Sequence, residues 1–343
     1  MNTLPPIGNI QASKQRFLHC AQQGLLKHAI AQDKGGYGDD FKALITAHQL
    51  LGTSSLDCGL LLSINAHLWG SVFPILNYGD EEQQQTYLNK LLSGDLIGGH
   101  AITEPQAGSD LNALEMTAEQ TSKGLILNGH KRYITNTPIA DILVIYARLD
   151  NKLSAFIVHA DDDGAQFQAG PEVSGCKTAT MGDIILDNCV IPSQRQLGKI
   201  GSGNIMIQQA LELERAFIFA GISGVMKQQL QSVIKFSRQR QVNGVHLGKN
   251  QAISHKIAEM KLRLDTIQLW LNECAQLKDN NKRITLASAQ IKLFAAEAFL
   301  QSSLDAVQIL GSGGLLKESP VASLVDDALA SRLFSGSSEI QKN

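Results

Sequence analysis

Residues from about 204 to 239 form one long helical pattern, and it limits the fold more than any other stretch. Ile205, Met206, Leu211, Phe217, Ala220, Val225, Leu230 and Val233 spread apolar side chains over more than one face of that helix. A helix apolar on several faces is buried in a bundle. Within it lies Ala210-Leu-Glu-Leu-Glu-Arg-Ala-Phe-Ile-Phe-Ala220, which carries Glu212, Glu214 and Arg215. Burying those charges is costly unless each has a partner or a task. The ordinary fate of a Glu-Arg pair is a helix surface facing water, so these positions need a reason to lie elsewhere.

The 343 residues suffice for one large domain or two to three smaller ones, and 43% hydrophobic content supports a sizeable core. A formal charge of −2 gives no broad attraction to nucleic acid or to anionic lipid. The five cysteines, Cys20, Cys58, Cys176, Cys189 and Cys274, lack metal-site or redox-motif spacing. They predict free thiols in a reducing, cytoplasmic setting. The N-terminus shows no signal peptide, and no apolar run reads as long enough to span a membrane. The nine histidines show no zinc-hydrolase pairing, so no metal is expected.

The first 95 residues read as helical. Ile10–Gln32 is one helix candidate, closed by Gly35-Gly36. Phe41–Leu51 and Leu56–Leu76 follow. Asp80 is the expected N-cap of the next helix and Gly94 its C-cap. From Leu96 to Pro192 the pattern changes to short strands. Asn128-Gly129 gives a hairpin signal there, and buried runs start at Asp141, Ser154 and Asp183. Beyond Gly203 the chain is helical again, with candidates at 250–277, 284–310 and 320–333. The expected fold is therefore α+β and multidomain: an N-terminal helical domain over 1–95, a middle antiparallel β domain over 96–195 and a C-terminal helical bundle over 196–343.

The most specific local signal is Ala101-Ile-Thr-Glu-Pro-Gln-Ala-Gly-Ser-Asp110. Pro105 fixes a turn, and Ala107-Gly108-Ser109 lets backbone approach a ligand with N–H and hydroxyl donors. An ordinary polar turn fits its composition nearly as well. Tyr133-Ile-Thr-Asn136 offers an aromatic and a hydroxyl to a flat ring, or simply ends a half-buried strand. The glycines of Gly198–Gly203 and Gly311–Gly314 lack dinucleotide spacing. No hydrolase-type nucleophilic serine is present. His100, on a strand, reads as structural.

Taken together and in this order, four motifs resemble the acyl-CoA dehydrogenase family. They are Thr103-Glu-Pro-Gln-Ala-Gly-Ser-Asp110, Asn128-Gly-His-Lys-Arg-Tyr-Ile-Thr-Asn136, Asp305-Ala-Val-Gln-Ile-Leu-Gly311 and Gly336-Ser-Ser-Glu-Ile-Gln341. The resemblance runs from about Gly35 through Gln341. It implies a C-terminal four-helix bundle, FAD held between β domain and bundle, and a homodimer or homotetramer. Carried over by position, Ile102, Thr103, Ser109, Tyr133 and Thr135 contact FAD from the β domain. Arg240, Gln308, Gly311 and Ser312 reach the FAD of a neighbouring subunit, and Ser337 and Glu339 meet the flavin from the C-terminal loop.

The departures from that pattern bear on the chemistry. The family's usual base is a glutamate at the position of Ser335, and serine cannot take an unactivated carbon-bound proton at neutral pH. Members acting on isovaleryl and long-chain substrates place the base just before the arginine of the central bundle helix, here Glu214 before Arg215. The resemblance therefore implies α,β-dehydrogenation of an acyl thioester on CoA or a carrier protein, with Glu214 as the base. Electron-transfer flavoprotein or oxygen would accept the electrons. The Ser335 backbone N–H serves the substrate oxygen, and Arg215 steadies the substrate pocket. Asn243 replaces an aromatic that packs on the partner's flavin, and Asp326-Asp327 replaces an Arg-Asp pair. Relative to the family, a first helix and a last helix are missing. The rival expectations are a flavin oxidase or monooxygenase of the same fold, and a non-catalytic binder or scaffold.

Overall fold

The computed structural model describes residues 4–343. Helices come first. They are α1 (Ile10–Gln22), α2 (Phe41–Ser55), α3 (Cys58–His67), α4 (Phe73–Tyr78) and α5 (Glu81–Ser93). Eight strands follow: β1 (His100–Ala101), β2 (Thr117–Thr121), β3 (Gly124–Ile134), β4 (Ile142–Leu149), β5 (Lys152–His159), β6 (Ala165–Ala169), β7 (Gly182–Ile191) and β8 (Gln196–Leu197). The chain then returns to helix in α6 (Gly203–Gln239), makes the short hairpin β9 (Gln241–Val242) and β10 (Val245–His246), and continues through α7 (Gln251–Asp279), α8 (Thr285–Leu310) and α9 (Ser323–Ser331).

Local chemistry explains most boundaries. Asp80 accepts the Gln83 N–H while Gln83 reaches back to the Asp80 N–H, a complete capping box, and Gly94 ends α5 at φ 84°. The first helix is shorter than its periodicity predicts. Gly24 at φ 79° takes the left-handed conformation just beyond Gln22, and the remaining turns to Lys34 are short 3-10 segments. The Asn128-Gly129 hairpin is absent, because both residues lie inside β3. Gly129 at φ 147° forms a register shift there, where a Cβ would strike Met116 at 2.9–3.1 Å, and the reversal falls instead between Thr121 and Gly124. Cys58–Tyr78 is long and apolar enough by composition to cross a membrane, contrary to the sequence expectation. It is broken by a π-helical turn at Leu68–Val72, and its apolar stretch is almost wholly buried inside the fold.

The chain packs as two compact units. The first takes the chain up to Asp39, then Leu62–Glu172 and Lys177–Glu214. Its centre is one mixed sheet in the order β6-β7-β3-β2-β4-β5-β8. Most neighbours are antiparallel, but β1 and β2 run parallel to β4, at Val144-Ile145 and at Arg148-Leu149. Leu125, Leu127, Leu143, Ile145, Phe156, Val158, Ile184 and Leu186 fill its core.

The second unit takes Asp40–Leu61, Val173–Cys176 and Arg215–Asn343. Leu230, Val233, Met260, Ala306 and Ile309 form a shared apolar seam between α6, α7 and α8. The buried Asp305 carboxylate ties α8 to α7 through Lys256 and Arg263, each at 2.8 Å. All five cysteines are buried thiols.

Candidate active site

The last turns of α6 in the first unit carry Glu214, which is only 5% exposed. Its Oε2 lies 3.2 Å from His100 Nε2 on β1. The other ring nitrogen, His100 Nδ1, is buried and has no hydrogen-bond partner among the described residues. The imidazole fits there because the π-helical turn brings Gly70 against it. A Cβ on Gly70 would lie 2.7 Å from His100 N and 2.9 Å from its Cγ. The sequence reading missed His100 as a partner of Glu214: they are separated by more than a hundred residues, and no short motif links strand to helix.

Just beyond β1, Glu104 anchors the Thr103–Asp110 turn. It exchanges backbone hydrogen bonds with Ala107, and its carboxylate accepts the N–H groups of Glu115 (2.7 Å) and Met116 (3.1 Å). Lys131, fully buried on β3, closes the arrangement at 2.7 Å and also donates to the Ile102 carbonyl at 2.9 Å. Burial pushes the Glu104 carboxyl up, but the hydrogen bonds from Lys131 and the two N–H groups outweigh it and hold it below its ordinary value. Lys131 is pushed down to about 8 by burial, with Glu104 pulling the other way. The turn is thus rigid at its base, while Gly108 and Ser109 are exposed at its tip. A Cβ at Gly108 would meet nothing within 4 Å.

The next β3 residues join the same surface. Arg132 N–H donates to the Thr103 carbonyl at 2.9 Å, which sets Ile102 and Thr103 beside Tyr133 and Thr135. Tyr133 is 51% exposed at φ 58°, an outlier for so bulky a residue, and the Arg132 guanidinium lies 4.9 Å from its ring. Asp183 holds this bend, with His130 at 3.0 Å and the Tyr133 N–H at 3.4 Å. Ile102, Thr103, Ser109, Tyr133 and Thr135 therefore belong to one unit and one region of it.

The second unit holds the remaining positions. Arg240, Gln308, Gly311 and Ser312 are exposed at or just beyond the C-terminal ends of α6 and α8. Gly311, at φ 62°, has open space where a Cβ would stand. Arg215 donates Nε–H to the Ser335 carbonyl at 2.9 Å. Ser335 (φ 55°) and Gly336 (φ 90°) are consecutive left-handed residues, and Gln341 Nε2 donates to the Gly336 carbonyl at 3.0 Å. Ser337 is half-buried and Glu339 exposed on the same loop. Asp327, the second member of the Asp326-Asp327 pair, accepts the Cys176 N–H at 2.6 Å. Its carboxyl is pushed up to about 6 by burial and by Asp57 and Asp326.

Comparison with known proteins places these residues in a family. The chain matches the acyl-CoA dehydrogenase N-terminal domain over residues 9–95, the middle domain over 99–189 and the C-terminal domain over 201–343. It is 35% identical to an L-prolyl-[peptidyl-carrier protein] dehydrogenase of Pseudomonas fluorescens, covering 94% of this chain and 86% of that protein. Among solved structures it resembles the prolyl acyl carrier protein oxidase AnaB, with TM-score 0.93 and 35% identity over 96% of this chain and 88% of that one. It also resembles PigA with FAD and proline, with TM-score 0.92 and 29% identity over 97% and 88%. With its three domain matches in sequence order across residues 9–343, the chain belongs to the acyl-CoA dehydrogenase family.

Proposed function

We propose that this protein is an FAD-dependent enzyme that desaturates an acyl or aminoacyl thioester between its α and β carbons, with Glu214 as the base. The observation that carries the reading is the buried Glu214 carboxylate, held 3.2 Å from His100 Nε2. Ser335 stands where most of the family carries its glutamate, so no carboxylate at that position competes for the role.

The residues fit FAD. Thr103, Ser109 and Thr135 supply hydroxyls and backbone N–H groups suited to phosphates and to the edge of a flat ring. Ile102 and the exposed, strained Tyr133 supply apolar surface for its face. The open space at Gly108 and at Gly311 admits a ligand without displacing any side chain. Arg240, Gln308, Gly311 and Ser312 are assigned to the FAD of a second copy in a homodimer or homotetramer, and Ser337 and Glu339 to the flavin. Bound FAD supplies the acceptor for the hydride lost from the β carbon.

The protein's own groups do the rest. Glu214 takes the α proton, and His100 orients its carboxylate from one side. The Ser335 backbone N–H donates to the thioester oxygen as negative charge develops there, a role that a change of side chain leaves intact. Arg215 acts through Ser335, whose carbonyl it holds. Similarity to the prolyl-carrier-protein dehydrogenase favours a prolyl thioester on a carrier protein as the first substrate to test, with acyl-CoA as the alternative carrier. Three segments, 1–95, 96–195 and 196–343, are the proposed domains.

Anaerobic single-turnover reduction tests the base. Glu214→Gln keeps the size and loses the proton acceptor, so flavin reduction by thioester falls by about a hundredfold or more while FAD content and thioester binding persist. Reduction at the wild-type rate removes Glu214 from the mechanism. A second reading, an oxidase, draws on the resemblance to the prolyl acyl carrier protein oxidase AnaB. Oxygen consumption during turnover, set against reduction of an electron-transfer flavoprotein, separates the two.

A further inference from the structure

The buried face of α8 is made of Ser288, Ile291, Ala295, Ala296 and Phe299, and in the middle of it stands a lysine. Lys292 is 0% exposed. A buried ammonium ordinarily needs a carboxylate, because removing it from water costs several kcal/mol. Among the described residues Lys292 forms no salt bridge. Its Nζ donates to the Arg332 carbonyl at 2.9 Å. That carbonyl also accepts the Ser338 N–H at 3.0 Å, so the ammonium sits at the neck of the loop that carries Ser335, Gly336 and Ser337. A second cation grips the same loop at its middle, where Arg215 Nε–H meets the Ser335 carbonyl.

We propose that Lys292 is a positioning residue for thioester desaturation: its charge pins the Arg332 carbonyl so that the Ser335–Gly336 turn is held with its backbone donor aimed at the substrate oxygen. The inference rests on the function proposed above. The left-handed conformation costs Ser335, though not Gly336, conformational energy that the surroundings must offset, and two cations on backbone carbonyls hold the loop on either side of that cost. Hydrogen bonds from charged donors are stronger than neutral ones, so the ammonium form is the better clamp. The charged groups around it are Arg215 from α6, Glu297 from α8, and Arg332 and Glu339 from the loop itself. Burial first, then Arg215, pushes Lys292 down to about 8, against the pull of Glu339 and Glu297. The clamp therefore weakens just above neutral pH.

The test uses the FAD-loaded enzyme and its Lys292→Met and Lys292→Arg variants, with flavin reduction and thioester affinity measured across pH. Lys292→Met is expected to bind thioester as wild type does and to reduce flavin about ten- to a hundredfold more slowly, the loss typical of a misplaced donor. Wild-type reduction is expected to fall as pH rises through about 8. Lys292→Arg, charged throughout, should retain most of the rate at neutral pH and lose that fall. A Lys292→Met variant that reduces flavin at the wild-type rate overturns the assignment. So does a Lys292→Arg profile with the alkaline fall unchanged, which decides the matter even if the methionine variant does not fold. Glu214→Gln run alongside separates the failures: slow Glu214→Gln with fast Lys292→Met strikes only Lys292, while two fast variants strike the reaction itself.

Discussion

Two lysines of this protein are wholly sealed from water, one in each compact unit. Lys131 in the sheet meets Glu104 at 2.7 Å, and Lys292 in the bundle donates to the Arg332 carbonyl and forms no salt bridge among the described residues. Burial pushes both down to about 8. The common value hides different roles. Lys131 and Glu104 neutralise each other and fasten the Thr103–Asp110 turn for the life of the fold. Lys292 has no carboxylate in direct contact among the described residues, only the more distant pull of Glu339 and Glu297, which burial and Arg215 outweigh. A buried charge with a partner is best read as architecture; one without a carboxylate calls for a functional explanation.

Removing each lysine tests that contrast. Lys131→Met strands the Glu104 carboxylate in the core, and breaking such a pair costs about 3–5 kcal/mol. Denaturant melts should show this loss, and a paired Glu104→Gln change should recover much of it. Lys292→Met leaves the Arg332 carbonyl still accepting the Ser338 N–H and also removes a buried charge, so its melt should move far less. Equal losses from the two variants would erase the distinction.

A smaller effect lies in the pH dependence of stability. The ordinary value of Lys292 is 10.5 and its folded value about 8, so between these the unfolded chain binds the extra proton. Stability from this group therefore rises with pH across that window, and below it the fold bears the full penalty. Relative to Lys292→Met, wild type should gain stability as melts are moved from neutral toward pH 10, with Lys131 contributing equally to both proteins and cancelling. A gap that does not change with pH would show that Lys292 holds its proton in the fold as tightly as in the unfolded chain. The least effect is expected from Ser335→Ala. The loop is gripped through its carbonyls and donates through its backbone, so flavin reduction should slow less in this variant than in Glu214→Gln or Lys292→Met.

Much of the architecture was legible in the sequence because it is written in short-range chemistry. Asp80 and Gly94 bracket α5 as their side-chain chemistry requires, and the switch from helical to alternating pattern near Leu96 precedes the first strand at His100. Misreadings arose where tertiary packing overrode a local signal. Asn128-Gly129 has hairpin chemistry, yet the close approach of Met116 makes it a bulge inside β3. The site was legible as motifs but not as contacts. Glu214 stood out as a charge on an apolar helix. Its neighbour His100 did not, since nothing within reach of either residue in sequence names the other. Lys292 left a usable trace: it follows Ser288 by four residues and precedes Ala295 and Phe299 by three and seven, the register of a buried stripe.

The five buried cysteines give the molecule a set of internal reporters. Burial pushes the Cys189 and Cys274 thiols up to about 12, and raises Cys58 and Cys176 well above the ordinary range with Asp327 adding to the effect. A thiol held in that form does not react with alkylating reagents until the chain around it opens. Cys20 and Cys189 belong to the unit built on the sheet, and Cys58, Cys176 and Cys274 to the helical one. Timed alkylation followed by mass mapping would thus read the breathing of each unit separately, with no engineered label, and show which of them lets go first.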